Sequence, residues 1–60
     1  MIRHFAFHDA KYNQDFVVWA ADELEAWYHL YCQNEEWAAT CVTFLREVSY
    51  EEQKEMKQSY

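Results

Sequence analysis

The stretch DFVVWAADELEAWYHLYCQN, residues Asp15 to Asn34, decides the fold because a buried-strand pattern passes directly into a helix start. Phe16 to Ala20 is an apolar run of strand length. Asp22 and, three residues later, Glu25 form a capping-box-like pair that predicts a helix from about residue 22 to 33. One face of this helix carries apolar side chains at i, i+3, i+4 and i+7, namely Leu24, Trp27, Tyr28 and Tyr31. A strand that leads into such a helix predicts a sheet on which the helix packs.

The residues before this stretch predict a hairpin. Phe5 and Phe7 share one face of segment 2–8, the alternation of a half-buried strand. The polar loop that follows contains Asp9 and Asn13, and since the chain has neither Gly nor Pro, Asp and Asn must form its turns. The returning strand is apolar on both faces, which predicts a central position in the sheet or cover on both sides.

Residues 34–48 allow two interpretations. A second helix beginning at Asn34 would place apolar side chains on one face, namely Trp37, Cys41, Phe44, Leu45 and Val48. β-branched and aromatic residues cluster from Thr40 to Phe44, and this composition favours a strand. We therefore expect a short turn near 35–39 and a strand over about 41–48, with Val42, Phe44 and Val48 on one side.

The end of the chain carries a second helix signal, because Ser49 is followed three residues later by Glu52. We expect a short C-terminal helix from Tyr50 to Gln58. The resulting order, β-β-α-β-α, predicts an α+β fold: a small antiparallel sheet of about three strands, with the main helix packed on one face. Sixty residues form one small domain, residues 1–60, with a thin stability margin.

The apolar arc of the main helix is about 200° wide, more than packing on one sheet requires. Aromatic residues also make up 20% of the chain, more ring surface than one small core needs. One hypothesis is therefore a small homodimeric structural or scaffold protein with an aromatic seam around Trp27, Leu30 and Tyr31.

The charge of the chain disfavours several partners. Eleven acidic against five basic side chains give a formal net charge of -6, which repels nucleic-acid phosphates and anionic membranes. No apolar run reaches the roughly 20 residues of a membrane span, and the N-terminus lacks a signal-peptide apolar core. We expect a cytoplasmic protein that binds neither nucleic acid nor membrane directly.

Catalytic and metal signatures are weak. His4 and His8 share a strand face but lie about 13 Å apart, too far for one metal ion. Cys32 and Cys41 lack the spacing of a redox pair, and we expect both to be reduced packing groups. A pairing of either cysteine with His29 would need an oxyanion pocket that a glycine-free chain builds poorly. We expect no enzyme activity, no metal and no cofactor.

The acidic residues after the hairpin carry the main functional signal, because carboxylates on a small rigid scaffold present a charge pattern like that of nucleic-acid phosphates. The alternative is that they only keep the chain soluble. The expected partner-binding residues are Glu23, Glu25, Glu35, Glu36, Glu47, Tyr50, Glu51, Glu52 and Glu55.

The short acidic chain, with a strand-to-helix segment such as Asp22-Glu23-Leu24-Glu25-Ala26-Trp27, resembles as a class the small phage inhibitors of host defences, including anti-CRISPR and anti-restriction proteins. The resemblance implies a non-enzymatic inhibitor that occupies a basic nucleic-acid-binding surface of a larger protein. It transfers no functional residue.

Overall fold

The chain forms two hairpin strands, then two consecutive helices, a third strand and a last helix. The computed structural model describes residues 1–55, and the side chains of residues 1–52. The elements are β1 (Arg3–Asp9), β2 (Gln14–Ala20), α1 (Glu23–Gln33), α2 (Glu35–Thr40), β3 (Val42–Val48) and α3 (Tyr50–Glu55). The α+β class and the predicted element order are confirmed. The expected extension of the last helix beyond Glu55 lies outside the described residues.

The segment 35–39 is helical, so the expected turn was wrong. Asn34 has an extended backbone, with φ -164° and ψ 102°, and this conformation ends α1. The Asn34 side chain then accepts a hydrogen bond from the Trp37 backbone N–H at 3.1 Å, which starts α2. The strand predicted over 41–48 is present as β3. The competing interpretation of one helix through residue 48 is therefore wrong.

The sheet has the order β2-β1-β3, and each neighbouring pair is antiparallel. Of the two alternatives predicted for the second strand, the central position is not found, because β1 pairs on both sides and β2 lies at the edge. Cover on both faces of β2 is confirmed at three positions: Phe16 and Val18 are buried in one core cluster, and Val17 is buried in another.

Asp and Asn form the hairpin turn, as the lack of glycine predicts. Asn13 has a positive φ of 51°, a left-handed conformation that Asn tolerates better than most residues. Asp9 Oδ1 accepts a hydrogen bond from the Lys11 backbone N–H at 2.8 Å, the pattern of an Asx turn.

A β-bulge in β3 corrects the predicted faces of that strand. Phe7 pairs with Phe44 and Ala6 pairs with Arg46, so Leu45 is an extra residue without an opposite partner. The extra residue reverses the alternation of faces. Val48 therefore packs on the second face of the sheet, away from Val42 and Phe44.

Aromatic rings fill the core between the sheet and the helices. Phe7 is fully buried and contacts three rings, Phe16 at 5.8 Å, Trp27 at 5.0 Å and Phe44 at 5.5 Å between centroids. Trp37 of α2 stacks on Phe16 at 5.8 Å. The core is therefore a network of rings centred on β1.

The buried side of α1 is narrower than its apolar arc. Ala26 and Leu30 are the buried residues of the helix, and Trp27 packs partly against the core. The small Ala26 side chain lets the helix backbone lie close to the sheet. The predicted packing face was therefore wrong at Leu24, Tyr28 and Tyr31, which are exposed.

Candidate protein-binding surface

The first turn of α1 holds the carboxylates of a helix start. Asp22 Oδ1 accepts a hydrogen bond from the Glu25 backbone N–H at 2.8 Å. Glu25 Oε1 accepts one from the Ala21 backbone N–H at 3.3 Å, so the predicted cap is confirmed. Glu23 Oε2 accepts a long hydrogen bond from Trp27 Nε1 at 3.4 Å. All three carboxylates remain exposed, so the cap also presents negative charge to solvent.

Glu35 and Glu36 lie exposed in the first turn of α2. Within the described part of the chain, neither forms an ion pair. The 11 residues of α1 separate them from the first turn of that helix by about 16 Å, at 1.5 Å per residue. The two groups of carboxylates therefore lie at opposite ends of α1.

Two predicted binding residues already have partners within the chain. Glu47 receives two hydrogen bonds from Arg3, at 2.9 and 2.6 Å, and Glu52 receives one from Arg46 at 2.7 Å. These guanidinium hydrogen bonds hold the pKa of both carboxyls below its usual value. Glu52 also completes the predicted cap with Ser49. Their charges are largely compensated locally.

The expected partner-binding residues do not form one surface. The ring of Tyr50 lies 6.0 Å from the ring of His4, on the sheet face opposite the buried Phe5 and Phe7. Glu51, which is exposed, follows Tyr50 at the start of α3. These residues are therefore on a different side of the molecule from α1 and α2. The side chain of Glu55 lies outside the described residues.

We define the acidic helical surface as the exposed side chains of α1 and α2. Its segment, residues 22–40, contains no Lys or Arg but five acidic residues, Asp22, Glu23, Glu25, Glu35 and Glu36. Its centre is an apolar ridge of Leu24, Tyr28 and Tyr31, whose exposed fractions are 80%, 66% and 41%. Single exposed apolar residues are common, but a helical row of three bounded by carboxylates is typical of an interaction surface.

Two of the three residues expected in the apolar seam, Trp27 and Leu30, pack on the core instead. Leu30 is completely buried in the core and is therefore not accessible to a second chain. The exposed part of the apolar arc of α1 consists of Leu24, Tyr28 and Tyr31 instead. The seven-residue spacing of these side chains was visible in the sequence, but the rotation of α1 on the sheet was not.

Histidines and cysteines are dispersed over the described residues. His8 Nδ1 contacts Asp15 Oδ1 at 2.8 Å, and His29 Nε2 lies 3.6 Å from Glu25 Oε1. Cys32 is exposed, so its expected packing role was wrong, and Cys41 is partly buried. In residues covered by the structure, no three His, Cys, Asp or Glu side chains are grouped as metal binding requires.

Among residues 1–55, no helix has the length and apolar character needed to cross a membrane. No protein-family model, curated protein or solved structure matches the chain. Function is therefore argued from the surface itself.

Proposed function

We propose that the protein is a non-enzymatic binding protein that uses the acidic helical surface to occupy a basic surface on a larger protein. The observation that carries this proposal is the combination of an exposed apolar ridge with carboxylates and no Lys or Arg in residues 22–40. Aromatic side chains are favoured anchors at interfaces, and a charged rim directs the encounter.

The distribution of cations in the fold supports this choice of surface. Arg3 and Arg46 are held in ion pairs on the strands, at 2.6 and 2.7 Å from their carboxylates. Helices α1 and α2 carry no Lys or Arg themselves, although Arg3 interacts electrostatically with Asp22 and Lys11 lines a pocket with Glu36. We therefore expect the electrostatic attraction of a basic partner to be strongest on the helical side of the molecule.

The partner class we propose is a protein with a basic nucleic-acid-binding face, such as an effector of a host defence system. Binding would then compete with DNA or RNA, as expected of an anti-CRISPR or anti-restriction type of inhibitor. The compartment in this proposal is the cytoplasm, where such effectors act.

The test measures affinity for purified CRISPR and restriction effectors between about 50 and about 200 mM salt, with DNA as competitor. The double variant Glu35→Gln with Glu36→Gln removes two charges from the acidic helical surface. Its matched control, Asp15→Asn with Glu51→Gln, removes two charges elsewhere, so both variants have the same net charge. We expect binding that weakens with salt and is reduced more by the first variant than by its control.

Salt-independent binding, equal effects of the two variants, or no binding to any effector would contradict the proposal.

A second candidate function, a homodimeric structural protein, is favoured by the ridge of Leu24, Tyr28 and Tyr31 alone. The two candidates differ in one measurement, sedimentation at high micromolar concentration. A dimer that Tyr28→Ser converts to monomer supports the second candidate, whereas a monomeric wild type contradicts it.

A further inference from the structure

Asp9 is the one buried charged residue in the described part of the chain, with an exposed fraction of 3%. Sequence analysis assigned it only to a turn. Its Oδ1 atom accepts two hydrogen bonds, from the Lys11 backbone N–H at 2.8 Å and from Trp37 Nε1 at 3.1 Å. Within residues 1–52 no hydrogen bond reaches the second oxygen, Oδ2. No fully buried side-chain oxygen or nitrogen of the described residues lacks a partner, so Oδ2 is accessible from solvent and can accept a hydrogen bond from a bound group.

This carboxylate lines a pocket of about 290 Å³ between the β1–β2 loop and the junction of α1 with α2. The other lining residues include the aromatic Tyr12 and Trp37 and the amide-bearing Gln14 and Gln33. A carboxylate and aromatic rings both attract a cation, and amide oxygens accept its N–H donors. The pocket is therefore chemically suited to a positively charged group with several donors.

One further feature favours a cation. The C-terminal end of α1, which carries the negative end of the helix dipole, lies at this pocket and has no basic residue in its last turn.

Lys11 is the cation already present at the pocket. Its Nζ lies 5.4 Å from the centre of the Tyr12 ring, whereas no ion pair joins it to Asp9 within the described residues. The Tyr12 wall thus already holds an ammonium group on its face. Within the described residues, no cation of the chain forms an ion pair with Asp9.

We propose that this pocket binds the guanidinium group of an arginine side chain on the partner protein. A planar guanidinium donates several N–H groups to Oδ2 and the amide oxygens while its face stacks on an aromatic ring, which an ammonium ion does less well. This inference rests on the proposed function in that it names the side chain by which a basic partner is recognised.

The test is a titration of the full chain with Nα-acetyl-arginine amide, followed by the NMR signal of the Trp37 indole N–H. The matched probe is Nα-acetyl-citrulline amide, which has nearly the same shape but no charge. Asp9→Asn keeps an oxygen for Lys11 and Trp37 and removes the carboxylate charge. We expect a saturable shift with the arginine probe. The affinity obtained from it should be about tenfold lower with the citrulline probe or in Asp9→Asn.

Tyr12→Ser provides a second variant that does not disturb the core, since Tyr12 is exposed. The guanidinium would lie on the face of the Tyr12 ring opposite Lys11, so we expect this variant to weaken arginine binding as well. Equal shifts with both probes, no saturation with arginine, or wild-type affinity in either folded variant would overturn the pocket assignment.

Failure of the arginine pocket and failure of the proposed function give different experimental results. Arginine binding without affinity for any basic protein would contradict the proposed function alone. Tight, salt-dependent binding to a basic protein, unchanged by Asp9→Asn, would contradict the pocket alone.

Discussion

Replacing Phe7 with leucine tests whether ring contacts, beyond burial itself, stabilise the core. Phe7 has three ring partners, whereas Phe5, on the same strand and the same face, has one ring partner, Phe44 at 6.3 Å. Both side chains are buried, so Phe5→Leu is a matched control. The two additional ring pairs are worth about 1–3 kcal/mol together. Because Arg3 also lies over the Phe5 ring, we expect a difference in the lower half of that range.

A domain of this size has a free energy of unfolding of roughly 3–9 kcal/mol, so both variants remain measurable. The assay is urea unfolding followed by circular dichroism, because Trp27 fluorescence would respond directly to the loss of the Phe7 ring. With a slope of about 1 kcal/mol per M urea, the two midpoints should differ by about 1 M or more. Coincident midpoints at equal slope would refute the assigned role of the ring network.

Two further predictions concern β3. Deleting Leu45 removes the bulge but leaves every paired residue on its present face, so the variant should fold. Deleting Thr43 instead moves Phe44 to the opposite face of the sheet and puts Leu45 in its place beside Phe7, which should cost about 1–3 kcal/mol through the loss of two ring pairs. Thermal unfolding of the two deletions checks this, and equal stability would contradict the bulge. Glu47→Gln should destabilise at neutral pH, because Arg3 lowers the pKa of the Glu47 carboxyl in the folded state. That contribution is present above the unfolded-state pKa and is lost as the pH falls through the lower folded pKa. Urea midpoints of wild type and variant should therefore converge in acid, and a constant gap would contradict the pairing.

Part of the candidate surface could be predicted from the sequence. The carboxylates of residues 22–40 and the absence of Lys and Arg between them are direct consequences of composition. The role of Asp9 could not be predicted, because its indole partner, Trp37, is 28 residues away along the chain. This hydrogen bond depends on how α2 packs against the end of the sheet where Asp9 lies.

The strands, the main helix and both capping boxes follow from the amino-acid sequence alone, because these depend on side-chain spacing and on hydrogen bonds between residues three or four positions apart. The tertiary structure decided the central strand, the bulge at Leu45 and the rotation of α1 that buries Leu30 and leaves Tyr28 exposed. These features depend on pairing and packing between distant segments, where several arrangements satisfy the same local pattern. The close packing of the rings around Phe7 stabilises one of these arrangements over the others.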